Sequence, residues 1–159
     1  MKKKISARDV VASPANFIAF GFGSGVSPVA PGTLGTLTGV MIYALLPSLS
    51  VVPYIVMVVV FFVLGIWVCN QTTQYLGVHD HPGIVWDEIV GYLITMVAVP
   101  FEWLWVMSGF LLFRLFDIWK PWPISVLDKQ IKGGLGIMLD DVLAAVYAAI
   151  CMQLIMALA

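Results

Sequence analysis

Long apolar stretches separated by short polar ones run from residue 33 to the end of the chain. Segments of this length, bounded by proline and glycine, predict α-helices rather than strands. The predicted helices cover Thr33 to Leu46, Pro53 to Tyr75, Asp87 to Val99, Trp103 to Ile118 and Leu139 to Leu158. A short helix over Ala15 to Phe20 is predicted to lie at a membrane interface. Without repeats or a long linker, residues 1–159 are expected to form one all-α domain.

The lengths of these helices bear on whether they cross a membrane. A bilayer core about 30 Å thick needs roughly 20 helical residues, so the second and fifth helices suffice, while the first and third are short. The chain is 61% hydrophobic and 11% charged, with a mean hydropathy of +1.00. Soluble proteins average about a quarter charged residues, so the composition predicts an integral membrane bundle of about five helices. The longest polar piece is expected between Trp119 and Met138.

The basic residues predict the orientation. If Lys2, Lys3 and Lys4 hold the N-terminus in the cytoplasm, five crossings place all eight Lys and Arg side chains on the cytoplasmic face. The polar stretches 21–35, 71–88 and 114–141 then gather on that face. A net charge of -1 without a basic face excludes a nucleic-acid partner.

The acidic residues share the same predicted face. Glu102 alone is expected on the outer side, and the cytoplasmic acids are Asp80, Asp87, Glu88, Asp117, Asp128, Asp140 and Asp141. One pair, Asp87 and Glu88, is expected to open the third helix, and Asp140 and Asp141 to open the fifth. Hard oxygen ligands at this density suit Mg²⁺, which takes one or two carboxylates and completes its shell with water and substrate phosphate. The alternative is that acids in a first helical turn only stabilise the helix dipole.

The glycine-rich stretch "GFGSGVSPVAPGTLGT" matches neither a Walker loop nor a dinucleotide fingerprint. Free N–H groups at Gly32 and Thr33, where a helix is expected to start, would suit a phosphate together with the hydroxyls of Ser24, Ser27, Thr33 and Thr36. An equally good alternative is a re-entrant loop whose small residues allow close helix packing.

Two further stretches carry cationic and histidine side chains. In "FRLFDIWKPWPI", Arg114 and Asp117 are three residues apart and are expected to pair, whereas Lys120 follows the helix and is expected to be free to reach a phosphate. In "GVHDHPGIVWDE", His79 and His81 are candidates for metal binding or proton transfer. Surface histidines usually do neither.

Four stretches together resemble a known family. "GFGSGVSPVAPGTLGT", "GVHDHPGIVWDEIVG", "FRLFDIWKPWPI" and "GGLGIMLDDVLAA" resemble, in order and spacing, the motifs of the phosphatidylglycerophosphatase A family. The resemblance covers the chain from Phe17 to Ala149. It implies an all-helical bacterial inner-membrane enzyme that removes the terminal phosphate of the lipid phosphatidylglycerophosphate and requires Mg²⁺.

The resemblance also carries site residues onto this chain. The family's acidic motif positions correspond to Asp87, Glu88, Asp117, Asp140 and Asp141, and the "DIWKPWP" motif supplies Lys120. Which acid holds the metal and which acts as base stays open; Asp87, Glu88 and His81 are the candidate bases. Lys120, with Arg114, is expected to neutralise phosphate oxygens. The alternative from another class is a small cation or proton transporter that uses the carboxylates.

Overall fold

The structure, a computed structural model, describes residues 5–46, 49–79 and 81–158, with the backbone alone at residues 127–129. The α-helices are α1 (Ala7–Val10), α2 (Pro14–Ala19), α3 (Pro31–Ala44), α4 (Val51–Leu76), α5 (Trp86–Thr95), α6 (Trp103–Trp119), α7 (Ile124–Gln130) and α8 (Gly133–Leu158). A 3₁₀ helix covers Gly21–Val26. None of the described residues lies in a β-strand, so the prediction of an all-α fold is confirmed for them. Pro47, where the first helix was expected to stop, and Lys2, Lys3, Lys4 and Asp80 lie outside the described residues.

Two helices are long and apolar enough to cross a membrane. The helices α4 and α8 each have 26 residues, about 39 Å at 1.5 Å per residue. The helix α6 has an apolar stripe that faces away from the bundle, formed by Leu104, Met107, Leu111, Leu115 and Ile118, each at least 48% exposed. A stripe of this kind suits contact with lipid. The described chain therefore forms a helical bundle with two candidate membrane-crossing helices, whereas five crossings stay a prediction.

Glycines on α3 and α8 allow neighbouring helices to approach closely. Along α3, a Cβ built on Gly35 would lie 2.6 Å from Val85 Cβ, and one built on Gly39 would lie 3.2 Å from Ile89 O. On α8, a Cβ on Gly134 would overlap the carbonyl oxygen of Ile66 in α4. Small side chains at these positions let α3 contact α5 and α8 contact α4 without displacement. Close packing by a small residue of the glycine-rich stretch is thus observed at Gly35, whereas a re-entrant loop stays a prediction.

Side chains from other helices donate to carbonyl groups in the last turn of α5 and in the residues that follow it. The Tyr54 hydroxyl donates to Leu93 O at 2.7 Å, the Tyr43 hydroxyl to Val99 O at 2.7 Å, and Gln153 Nε2 to Val97 O at 3.2 Å. A helix end away from water requires such donors. The expected continuation of this helix to Val99 is therefore wrong, because the chain turns after Thr95.

The segment 119–138 also differs from its prediction. It was expected to be the longest loop, but it contains α7 and the first turns of α8. The helix α8 begins at Gly133, six residues before the expected start at Leu139. Sequence reasoning treated Gly133, Gly134 and Gly136 as loop residues, whereas their lack of side chains allows α8 to pack on α4 and on Ile131. The described residues form nine helices, against the five and one short interfacial helix that were predicted: α7 lies in the supposed loop, and α1 and the 3₁₀ helix were not predicted.

Candidate active site

A cleft of about 280 Å³ lies where four helices meet at one end of the bundle. The first residues of α3, the N-terminus of α5, the C-terminus of α6 and the early part of α8 surround it. The described residues that line it are Ala30, Pro31, Gly32, Pro82, Ile84, Asp87, Glu88, Arg114, Asp117, Lys120, Asp140 and Asp141. Five of these are acids and two are bases, so the formal charge of the fully ionised lining is five negative against two positive. The structure thus brings all five sequence-predicted acids to one cleft.

Three carboxylates form the tightest group in this cleft. Oxygen atoms of Asp87, Glu88 and Asp141 all lie within 4.8 Å of one another. Asp87 and Glu88 lie in the first turn of α5, where acids favour the helix dipole. Asp141 approaches from α8, so the group joins two helices that are distant in sequence. Oxygen ligands at this separation fit a divalent cation such as Mg²⁺.

The position of Asp140 and Asp141 differs from its prediction. These residues were expected to open the fifth helix, but α8 begins at Gly133, so they lie about two turns inside it. The helix-dipole explanation therefore fails for this pair, because the dipole acts mainly within the first turn. Asp140 is 8% exposed and Asp141 3% exposed. Carboxylates buried within an apolar helix are unfavourable unless a partner compensates their charge.

Glu88 Oε2 and Asp141 Oδ2 are buried oxygens of the tight group that have no hydrogen-bond partner among the described residues. Burial, together with the negative charge of Asp141, raises the pKa of Glu88 to about 8. The group is thus short of positive charge, and these orphaned oxygens are the observation that fits a bound cation.

The two cationic side chains of the cleft are each held by an acid. Arg114 Nη1 donates to Asp117 Oδ2 one turn along α6, which confirms the expected pair. Lys120 Nζ lies 2.5 Å from Asp140 Oδ2. The expectation that Lys120 is free is therefore wrong: it ends α6 in a left-handed conformation, with φ of 45°, and lies against α8. Both cations nevertheless line the cleft, where they can meet an anion.

The glycine-rich stretch contributes less to the cleft than was predicted. Gly32 lines it, and a Cβ built there would overlap Glu88 Oε1. Thr33, Ser24 and Ser27 are not among the described lining residues. Ser27 Oγ instead donates to Val29 O at 2.8 Å, and the buried Ser24 Oγ has no hydrogen-bond partner among the described residues. The predicted phosphate contacts of these three side chains stay predictions.

The histidine-containing loop lies beside the cleft rather than in its lining. His81 is 6% exposed, and its Nδ1 accepts the N–H of Gly83 at 3.1 Å. His79 is exposed, and its Nε2 accepts the N–H of Gly133 at 2.8 Å. The loop nevertheless brings Pro82 and Ile84 to the cleft wall. Sequence reasoning missed these apolar lining residues, and only their nearness to Asp87 along the chain signalled them.

The chain is similar to known proteins over most of its length. The family model for phosphatidylglycerophosphatase A matches residues 17–156. The chain is 43% identical to a phosphatidylglycerophosphatase A of Escherichia coli (strain K12), over 93% of this chain and 87% of that protein. It is 47% identical to one of Haemophilus influenzae, over 93% and 90% respectively.

A relative with a different name is also similar. A putative phosphatidylinositol-3-phosphatase of Bacteroides thetaiotaomicron is 43% identical, over 84% of this chain and 87% of that protein. No solved structure matches the chain significantly. The family model spans all the described residues that line the cleft. The alignments with the two phosphatidylglycerophosphatases A cover 87% and 90% of those proteins. The chain therefore belongs to the phosphatidylglycerophosphatase A family.

Proposed function

We propose that this protein is a Mg²⁺-dependent lipid phosphatase of the bacterial inner membrane. Its reaction is hydrolysis of the terminal phosphomonoester of phosphatidylglycerophosphate, which gives phosphatidylglycerol and phosphate for phospholipid synthesis. The observation that carries the proposal is the cleft itself, where five acids and two bases meet at one end of an apolar bundle. Membership of the family, whose named relatives share 43% and 47% identity with the chain, supplies the substrate.

The residues of the tight carboxylate group fit the cation that the family resemblance implies. Asp87, Glu88 and Asp141 would hold Mg²⁺, because their oxygens cluster within 4.8 Å and two of them are buried without hydrogen-bond partners. When bound, Mg²⁺ supplies charge neutralisation for a phosphomonoester and lowers the pKa of water for in-line attack. Without a cation, the ionised acids of the cleft, which outnumber its two bases, would repel a phosphate dianion.

The two acid–base pairs have a separate task. Arg114 and Lys120 line the cleft and can neutralise the oxygens of a bound phosphate. Asp117 orients Arg114, and Asp140 orients Lys120, so each cation is already directed before substrate arrives. Preorganised charges of this kind need little rearrangement in the transition state. The five acids therefore divide into a cation-holding group and a pair that aims the bases.

Proton transfer requires a base close to the attacking water. Asp87 and Glu88 both line the cleft, and either can accept the proton. Direct attack by water is preferred to a covalent intermediate, because the sequence contains neither a DxDxT motif nor a Cys-x5-Arg loop. The alternative of a cation or proton transporter is not favoured, since the named relatives are phosphatases.

The location of the cleft suits a substrate that resides in the membrane. The C-terminus of α4 and the start of α8 lie together, since Gly133 and Gly134 contact Asn70. Both long helices thus meet at the end that carries the cleft, where a lipid headgroup would be found. The basic residues favour the cytoplasmic side. In this orientation the cleft would open at the cytoplasmic surface of the membrane.

Phosphate release from phosphatidylglycerophosphate in detergent micelles, with Mg²⁺ and with chelator, tests the proposed reaction. Phosphatidylinositol 3-phosphate is the comparison substrate, because a relative is named for it. We expect release from phosphatidylglycerophosphate only with the cation, and faster than from the comparison lipid. Equal rates with and without chelator would contradict the metal role, and faster release from the inositol lipid would contradict the substrate.

Labelling of single cysteines in spheroplasts tests the orientation. Val29, 75% exposed, adjoins the cleft residue Ala30, and Leu45, 82% exposed, follows the far end of α3. In a background in which Cys151 is replaced by Ala, the remaining native Cys69 is fully buried. An impermeant maleimide should then label Leu45→Cys and spare Val29→Cys. The opposite pattern would place the cleft on the outer side.

A further inference from the structure

The two histidines between α4 and α5 share one hydrogen-bonding feature: each accepts a backbone N–H near the start of an acid-bearing helix. His81 Nδ1 accepts from Gly83, three residues before the start of α5. His79 Nε2 accepts from Gly133, the first residue of α8. These helices carry Glu88 and Asp141 to the cleft. Neither histidine is among the described residues that line it.

His81 fixes the turn that leads into α5. The N–H of Ile84 donates to His81 O at 2.8 Å, so residues 81–84 close a turn that the Nδ1 contact with Gly83 braces from inside. The backbone of Gly83 packs directly on Gly25, where a Cβ would overlap the Gly83 carbonyl. The N–H of Val85 then donates to Ala19 O at 2.9 Å. These contacts hold the turn against Gly25 and the end of α2, and so they fix the position of the first residue of α5.

His79 fixes the start of α8 in a comparable way. The first N–H groups of a helix have no partner within the helix, and His79 satisfies one of them from 54 residues away. Gly133 has φ of 77°, a conformation that glycine adopts without strain. One residue later, Gly134 lies against Ile66 and Asn70 of α4. The contact therefore sets where α8 begins relative to the loop that precedes α5.

We infer that His79 and His81 are positioning residues, which fasten α8 and α5 to one short loop and so keep the carboxylates of Asp141 and Glu88 at their observed separation. In this role each imidazole acts as an acceptor, and its proton chemistry is not used. An Nδ1 that accepts the Gly83 N–H cannot take up a proton and keep that contact. The consequence for activity rests on the proposed function, whereas the consequence for the two amides does not.

The different nitrogens used by the two residues give a reciprocal test. The Oδ1 of asparagine occupies nearly the place of His Nδ1. It commonly accepts the N–H of the residue two positions later in the chain, and Gly83 is two positions after residue 81. The Oε1 of glutamine reaches about as far as His Nε2. His81→Asn and His79→Gln therefore retain the acceptor, whereas His81→Gln and His79→Asn misplace it. Leucine at either position removes it.

The experiment measures two quantities on the full chain in micelles: kcat/KM with phosphatidylglycerophosphate and Mg²⁺, and hydrogen exchange of the amides in residues 81–85 and 133–136. We expect His81→Asn and His79→Gln to stay within about twofold of wild type in both, since the bond is kept. The swapped and leucine variants should lose about tenfold in kcat/KM and exchange the local amide about tenfold faster. Peptides from α6 serve as the internal reference for global unfolding.

Two outcomes would overturn the inference. If His81→Asn were as inactive as His81→Leu while its amides stayed protected, the imidazole would take part in the chemistry itself. If the leucine variants had wild-type amide exchange and wild-type kcat/KM, the two histidine contacts would not position the helix starts. Should the wild-type chain fail to hydrolyse the lipid at all, the proposed function would fall, but the exchange data would still decide whether the histidines hold the two helix starts.

Discussion

Replacement of Gly32 by alanine is expected to disable the site while it leaves the fold intact. A Cβ on Gly32 would overlap Glu88 Oε1 and lie 3.3 Å from Arg114 Nη1. Because non-bonded carbon atoms sit about 3.5 Å apart, we expect the carboxylate to move by roughly 1 Å. Glu88 can make this move, since the overlapping atom is the end of a flexible side chain. Alanine also favours the helix by about 1 kcal/mol over glycine, which offsets the crowding.

The expected effect of Gly32→Ala on catalysis is much larger than its effect on stability. A misplacement of about 1 Å in a catalytic group can cost about a hundredfold in rate, or roughly 2.7 kcal/mol of activation free energy. The proposed Mg²⁺ would increase the loss, because this ion tolerates little displacement of its ligands. The free energy of unfolding should change by less than about 1 kcal/mol. The variant would thus be folded and nearly inactive.

The assay combines phosphate release at saturating Mg²⁺ with thermal unfolding in the same micelles. Gly39→Ala is the matched control, because Gly39 lies on the same face of α3, where its nearest neighbour is Ile89 O at 3.2 Å and no carboxylate is touched. We expect the control to keep most of its activity. If Gly32→Ala retained more than half of the wild-type rate, or lost activity only as far as it unfolded, Glu88 could not have the role proposed.

Three further predictions concern the acids, the cation and the end of α5. Asp141→Asn should lower kcat/KM by about a hundredfold or more. Glu102→Gln should be near wild type, because the 17 residues of α6 separate Glu102 from the cleft by about 25 Å. Similar rates for the two variants would refute a site confined to one end of the bundle. Excess EDTA should abolish phosphate release, and Mg²⁺ added beyond the EDTA concentration should restore it. The amount of phosphate released in a fixed time measures both effects. Tyr54→Phe removes the donor to Leu93 O and should cost about 1–2 kcal/mol of stability in thermal unfolding, without a change in KM.

The sequence predicted the helices that carry long apolar runs. The bounds of α4 and α6 differ from their predictions by at most two residues at either end. Hydrophobic runs of this length are helical wherever they are buried or meet lipid, because only a helix satisfies its own backbone. The five acids were also found from sequence, since a carboxylate is costly in so apolar a chain and stands out there.

The end of α5 and the start of α8 could not be predicted in the same way. Local sequence favours continuation of α5 to Val99, but Tyr54 and Tyr43 from other helices satisfy its carbonyl groups and let it stop early. At α8, glycines that are unfavourable for an isolated helix become favourable where α4 must pack closely. Both boundaries depend on contacts between residues far apart in the chain, which local propensity does not contain.

The sequence by itself therefore determined the all-helical class, the two helices long and apolar enough to cross a membrane, the family and the set of acids, because each depends on composition or on a motif. Only the tertiary structure decided how those acids divide. Beyond the Asp117–Arg114 pair, which the sequence predicted, Asp140 lies with Lys120, whereas Asp141 joins Asp87 and Glu88 across two helices. Adjacent residues on a helix point about 100° apart, so Asp140 and Asp141 face different partners although nothing in the sequence distinguishes them.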